Sequence, residues 1–310
     1  MWMIPFLMLI AWPLMAKPGA GSGAGSDPIA AVIDFDLRGP FGVANGKGIG
    51  FLHSLSALEP PDRFVDSLNI KLWRGACFLD GDLYRRLQRS GASIQYVLSD
   101  GFQHPTEGTC LEQQDTGRWP HQFPELWRQH VENTARQILA NGWNVIWEPW
   151  NEPDYWPGSD KPNDQDLAFR QYLEAFRDSY RIIRKMDPHA RFSGPSLSAD
   201  ASIGWTASKR RIEQFLAFCD QHQIEVADLT WHGFDDSKIF NYPERLRDIR
   251  QLAAQKYPAV RVQRILISEI VSENYFESPG DLIATLKYLV LVRCSHQIYR
   301  VFQHNSSIHS

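Results

Sequence analysis

Apolar and polar positions along this chain follow two rhythms that take turns. Short runs with a period of two predict strands at Gly48–His53, Ile70–Arg74, Ser93–Leu98, Asn144–Glu148, Arg191–Pro195, Asp228–His232, Arg264–Glu269 and Ile298–Phe302. A further short alternation, Ala31–Phe35, precedes them. Between the runs the spacing lengthens to three and four. Phe169, Leu173, Phe176, Tyr180 and Ile183 make one such stripe, and Trp127, Val131, Ala135 and Ile138 another. This spacing predicts helices over 62–68, 82–89, 124–140, 167–186, 211–222, 244–255 and 279–292, with stop signals at Gly91, Gly142 and Asp187-Pro188. A long polar loop is predicted from Leu98 through Trp119.

Eight strands separated by helices in a chain of 310 residues point to an α/β fold, the (β/α)8 barrel. An open doubly wound sheet is the alternative, but no Gly-rich phosphate loop follows any strand. Only eight residues follow Phe302, so the pattern predicts a barrel lacking its final helix.

Residues 1–16 carry no charge and suit the apolar core of a secretory signal, although the first residues of that stretch lack the Lys or Arg such signals usually begin with. With a Gly/Ser/Ala stretch after them, they make residues 1–26 a signal peptide and flexible linker, and 27–310 the folded domain. That predicts a secreted or periplasmic protein with no membrane span in the mature chain. A formal net charge of -4 and the lack of a Lys/Arg stripe exclude a nucleic-acid footprint. Of four cysteines, Cys77 and Cys110 sit in loops after neighbouring strands and are best placed for a bridge; free thiols are the alternative.

The chemistry collects at strand ends. His53, Arg74, Asn151-Glu152, His232 and Glu269 all fall at C-terminal tips, which in a barrel converge on one mouth. Two carboxylates there, Glu152 and Glu269, suit retaining glycoside hydrolysis, in which one attacks the anomeric carbon and the other protonates the leaving oxygen. Asn151 is placed to bind a sugar hydroxyl. Trp150, Trp156 and Trp231 are candidate sugar-stacking surfaces, each with a core role as the competing reading. Glu148, deeper in its strand, is assigned to structure as the partner of an arginine. No cofactor or metal is called for, and the expected partner is a carbohydrate.

The segment Glu148-Pro149-Trp150-Asn151-Glu152-Pro153-Asp154 resembles the acid/base segment of glycoside hydrolase family 39, in the clan of (β/α)8 retaining enzymes that includes β-xylosidases and α-L-iduronidases. Ile267-Ser268-Glu269 sits where that clan carries its nucleophile. Ser193-Gly194-Pro195, Trp231-His232 and Arg74 extend the likeness, which runs from about residue 31 to 302. The resemblance implies Glu152 as acid/base and Glu269 as nucleophile. Phe234 stands where the clan often has a Tyr contacting the nucleophile, and Ile270-Val271 follows Glu269 in place of Asn or Trp. These departures motivate a second reading, a carbohydrate-binding barrel that has lost turnover.

Overall fold

The computed structural model describes residues 50–270 apart from 53–54, 59, 69, 77–78, 104–117, 156–164, 199 and 234–241. All of these belong to the second of the chain's two units, Val43–Ser310. Seven strands form one parallel sheet in sequence order: β1 (Gly50–Leu52), β2 (Leu72–Gly75), β3 (Ser93–Val97), β4 (Ile146–Glu148), β5 (Arg191–Leu197), β6 (Asp228–Gly233) and β7 (Arg264–Ile270). The helices are α1 (Asp62–Leu68), α2 (Gly81–Ser90), α3 (Leu98–Gln103), α4 (Pro124–Ala140), α5 (Gln165–Met186), α6 (Asp200–Gln221) and α7 (Tyr242–Lys256).

Parallel neighbours in chain order, with helices between them, make a (β/α) barrel. The sheet curls on itself: Arg74 on β2 bonds Glu269 on β7, and Gln95 Nε2 on β3 donates to Ser193 Oγ on β5. The predicted strands at 31–35 and 298–302 and the helix at 279–292 lie outside the described residues, as do the leader, the boundary at 27, Cys77, Cys110 and Cys294. Cys219 is a free, buried thiol. No helix among the described residues is long and apolar enough to cross a membrane.

Strand alternation sorts side chains into two layers. Trp73, Ile94, Trp147, Phe192, Leu229 and Trp231 join the core that the helices cover, while Arg74, Gln95, Glu148, Ser193, Thr230 and His232 occupy the opposite, interior face. Local signals hold the helices where the pattern puts them. Asp80 Oδ1 accepts from Asp82 N at 2.9 Å and Leu83 N at 2.8 Å to start α2, and Gly91 ends it at φ 69. At Gly194 an added Cβ would lie 2.9 Å from Phe176 Cε2, so helix and strand pack there only because the side chain is missing.

Two predictions need correction. The segment after Leu98 begins as a short helix, α3, because Leu98 and Phe102, one turn apart, bury against the Trp127 side of the core. And α6 starts at Asp200, not at 211; a break at Gly204 (φ 75, ψ 157) interrupts the stripe that a sequence reading follows.

Two register shifts aim the site. Trp231 pairs with Ile267 but His232 pairs with Glu269, leaving Ser268 as an extra residue in β7. Without it, the alternation through Arg264 and Leu266 would set Ser268 opposite His232 and turn Glu269 away from the interior. Likewise Pro195 pairs with Thr230 and Leu197 with Trp231, leaving Ser196 extra in β5 at φ 51. Such bulges re-aim side chains at the rims of barrels.

Candidate active site

Arg74 is the hub. Its side chain is 2% exposed, and its Nε donates to Glu148 Oε2 at 3.0 Å while Nη2 donates to Glu148 Oε1, a fork-on-fork pair. Nη1 reaches Glu269 Oε1 at 2.5 Å, and Nη2 also reaches Asn151 Oδ1 at 2.7 Å. One guanidinium thus ties the ends of β2, β4 and β7 together. Burial by itself would lower its pKa, but the charges of Glu148 and Glu269 outweigh that and raise it above the ordinary arginine value. Arg74 is a fixed cation. Glu148 is fully buried beneath it, in the structural part assigned from the sequence.

Removing one member of a buried pair leaves an uncompensated charge, at a cost of about 3–5 kcal/mol. Arg74→Met is therefore expected to lose about that much stability in urea unfolding. Arg74→Met/Glu148→Met should recover most of the loss, because no buried charge is then stranded. A double variant no more stable than the single one would show that Glu148 is not the source of the cost.

Glu152 hangs from a strained loop. Its φ is 49, in the left-handed region that non-glycine residues enter at a cost of order 1–3 kcal/mol. Neighbouring bonds hold it there. Glu152 N donates to Ser196 O, on the β5 bulge, at 2.9 Å; Asn151 N donates to Ser99 Oγ at 3.1 Å. Two residues on, buried Asp154 accepts from Ser198 N at 2.9 Å and from Ser198 Oγ. Both sides of the turn are thereby pinned to other strand ends, Ser99 after β3 and Ser196–Ser198 at β5.

His232 stands between the two carboxyl groups. Its Nδ1 lies 2.9 Å from Glu152 Oε1 and its Nε2 lies 3.7 Å from Glu269 Oε1. One ligand atom from each of Glu152, His232 and Glu269 fits within 4.8 Å of the other two. The imidazole is fully buried, and burial lowers its pKa to about 4 despite the nearby Glu269, so it is neutral at physiological pH. Burial also raises the Glu152 pKa above the usual carboxylate range; Arg74 opposes this and Glu148 adds to it. Glu152 and Glu269 keep side chains 25% and 14% exposed, so both can be reached from solvent.

Of the residues singled out in the sequence, Arg74, Asn151, Glu152, His232 and Glu269 meet at this mouth. His53, Trp156 and Phe234 lie outside the described residues. The stacking roles of Trp150 and Trp231 are corrected. Trp150 is 2% exposed, with its ring among Phe102, Trp119 and Trp127. Trp231, one residue before His232, points the other way and packs against Trp205 of α6. Neither offers a ring face to a ligand.

Sequence reasoning missed Asp100, on α3 directly after Ser99. Burial pushes its carboxyl up to about 7; Arg74 pulls it down, and Glu148 and Glu269 push it further up. The only signal for it was its place just beyond a strand end, inside what looked like a loop.

No family model matches the sequence, and no curated protein does. Solved structures do. One is N2152 from Neocallimastix frontalis, at TM-score 0.54 and 20% identity over 75% of this chain and 54% of that one. Another is a GH39 β-xylosidase from Caulobacter crescentus, at TM-score 0.50 and 19% identity over 85% and 63%. A psychrophilic family 10 endo-β-1,4-xylanase aligns at TM-score 0.51 and 15% identity over 81% and 83%. This chain thus spans about half the length of N2152 and under two thirds of the β-xylosidase. At these identities the likeness is one of fold, a barrel shared with glycoside hydrolases of more than one family.

Proposed function

We propose that this protein is a retaining glycoside hydrolase in which Glu152 is the acid/base and Glu269 the nucleophile. The observation that carries the reading is the spacing of the two side chains across the mouth, with oxygens within 4.8 Å. Retaining enzymes hold their carboxyl groups about 5–5.5 Å apart so that one can attack carbon directly, whereas inverting enzymes leave about 6.5–9.5 Å for a water. The gap here fits the short class.

The environments divide the roles. Glu269 takes a direct bond from the fixed cation Arg74, which holds its carboxylate in place as a nucleophile must be held. Glu152 is held toward its protonated form by burial, as a general acid must be. Neutral His232, bonded to Glu152, fixes that carboxyl without adding a charge. Asn151, anchored through Arg74 and Ser99, stands beside Glu152 in reach of a substrate hydroxyl. In the first step Glu269 forms the glycosyl ester as Glu152 gives its proton to the leaving oxygen. In the second Glu152 takes a proton from water, which displaces Glu269.

The substrate is a β-linked glycan, and membership of family 39 rests on the segment Glu148–Asp154. The apolar residues 1–16 support action outside the cytoplasm. Proton NMR of the first-formed sugar from a responsive substrate tests the reading. The β-anomer should appear first and mutarotate afterwards. First release of the α-anomer from a β-glycoside would overturn it, as would glycan binding with no product from any member of a broad panel.

A further inference from the structure

Beyond hydrolysis, the same mouth has a donor set that suits a metal ion. Glu152, His232 and Glu269 offer one imidazole nitrogen and two carboxylate oxygens, all within 4.8 Å of one another. Nitrogen with oxygen is a set for zinc and its neighbours rather than for calcium or magnesium, which take oxygen alone. The three come from different strand ends, β6, β7 and the segment after β4, which bring one donor atom of each within that distance.

We propose that Glu152, His232 and Glu269 form a reversible binding site for a zinc-class divalent cation, one ion per chain, whose occupancy withdraws both carboxylates from other partners.

The geometry sets its strength. Tetrahedral zinc with bonds of about 2.0–2.2 Å needs ligand atoms roughly 3.4 Å apart. His232 can give an ion only one ring nitrogen: through Nδ1 the 2.9 Å edge to Glu152 Oε1 must open by about half an ångström, and Glu269, which faces the opposite nitrogen Nε2, must close in from within 4.8 Å. The imidazole is fixed by complete burial, so the glutamates make the adjustment, and their partial exposure leaves them freedom to do so. Arg74 competes for Glu269 Oε1, and its positive charge repels a second cation. The site is therefore weaker than a closed structural zinc site and saturates in the micromolar to millimolar range. Three protein ligands leave a fourth position for water.

The binding claim stands without the glycosidase reading; only its effect on turnover rests on that reading. The test is calorimetric titration of the full chain with zinc, and with cobalt(II) as a spectroscopic probe. Wild type should take up one ion, and cobalt should give the intense visible bands of a four-coordinate site. Glu152→Gln and Glu269→Gln keep shape and lose charge, and each should weaken binding at least tenfold. Glu132→Gln, on the exposed face of α4, should leave it unchanged. Replacing fully buried His232 risks misfolding, so the two Gln variants decide. No saturable uptake by millimolar metal overturns the inference, and so does equal uptake by wild type and both Gln variants. Turnover by metal-free protein that zinc leaves untouched, despite one bound ion lost in the Gln variants, would instead count against the hydrolytic roles of the two glutamates.

Discussion

Glu269→Ala is expected to lower turnover of an activated aryl β-glycoside by about ten-thousand-fold or more, the scale seen when a covalent nucleophile is deleted. Sodium azide should restore part of it, because a small anion fits where the carboxylate was and attacks the anomeric carbon from the same side. The product is then a glycosyl azide of inverted configuration. That stereochemistry is the discriminating readout: a merely structural glutamate could cost activity through misfolding, but azide would not give it back as an α-azide. Stability should change little or rise, since Glu269 is 14% exposed and its departure leaves Arg74 paired with Glu148. Near wild-type turnover in Glu269→Ala, or rescue giving the retained azide, would remove Glu269 from the nucleophile's role.

Most of the scaffold was legible in the chain because its signals are local. Five helices, α1, α2, α4, α5 and α7, lie within a few residues of the ranges their spacing predicts, and α1 and α4 match those ranges. What sequence could not yield is phase. A strand reading assumes strict alternation, and it puts Glu269 at a tip without saying which way it faces. The extra Ser268 decides that, and nothing in Ile267-Ser268-Glu269-Ile270 announces it. The same blindness produced the error at Trp231. As the immediate chain neighbour of His232 on a strand, it must face the other layer once His232 faces inward. Trp150 differs for another reason: the polar pattern after Leu98 predicts a loop there, and the aromatic pocket that claims the ring exists only because α3 sets Phe102 against Trp127. The Arg74–Glu148 pair was readable in kind but not in consequence. Only the structure has Arg74 reach on to Asn151 and Glu269, so that the buried pair also orients those two side chains.

Glu152→Ala should separate substrates by leaving group. Where departure needs a proton, as with an alkyl aglycone, the first step should slow by about 10²–10⁴-fold, the usual worth of a positioned general acid. Where the leaving group is a strongly acidic phenol, that step should be close to wild type, and the glycosyl ester should accumulate because no base activates water. Azide should then speed release and give the retained glycosyl azide, the opposite outcome from Glu269→Ala. The pH profile supplies a second test. An acid acts while protonated, so activity on alkyl glycosides falls as pH rises through the Glu152 pKa. Burial places that fall above the usual carboxylate range, with Arg74 working against the rise and Glu148 with it. The alkaline limb should be absent from kcat/KM of Glu152→Ala on the acidic phenol. His232 cannot supply the limb, because its own titration lies near 4 and is complete before that limb begins. If Glu152→Ala loses the same factor on every leaving group and keeps the alkaline limb, the proton comes from another residue. Asp100 would then be the group to test, since its carboxyl titrates near 7 at the same mouth.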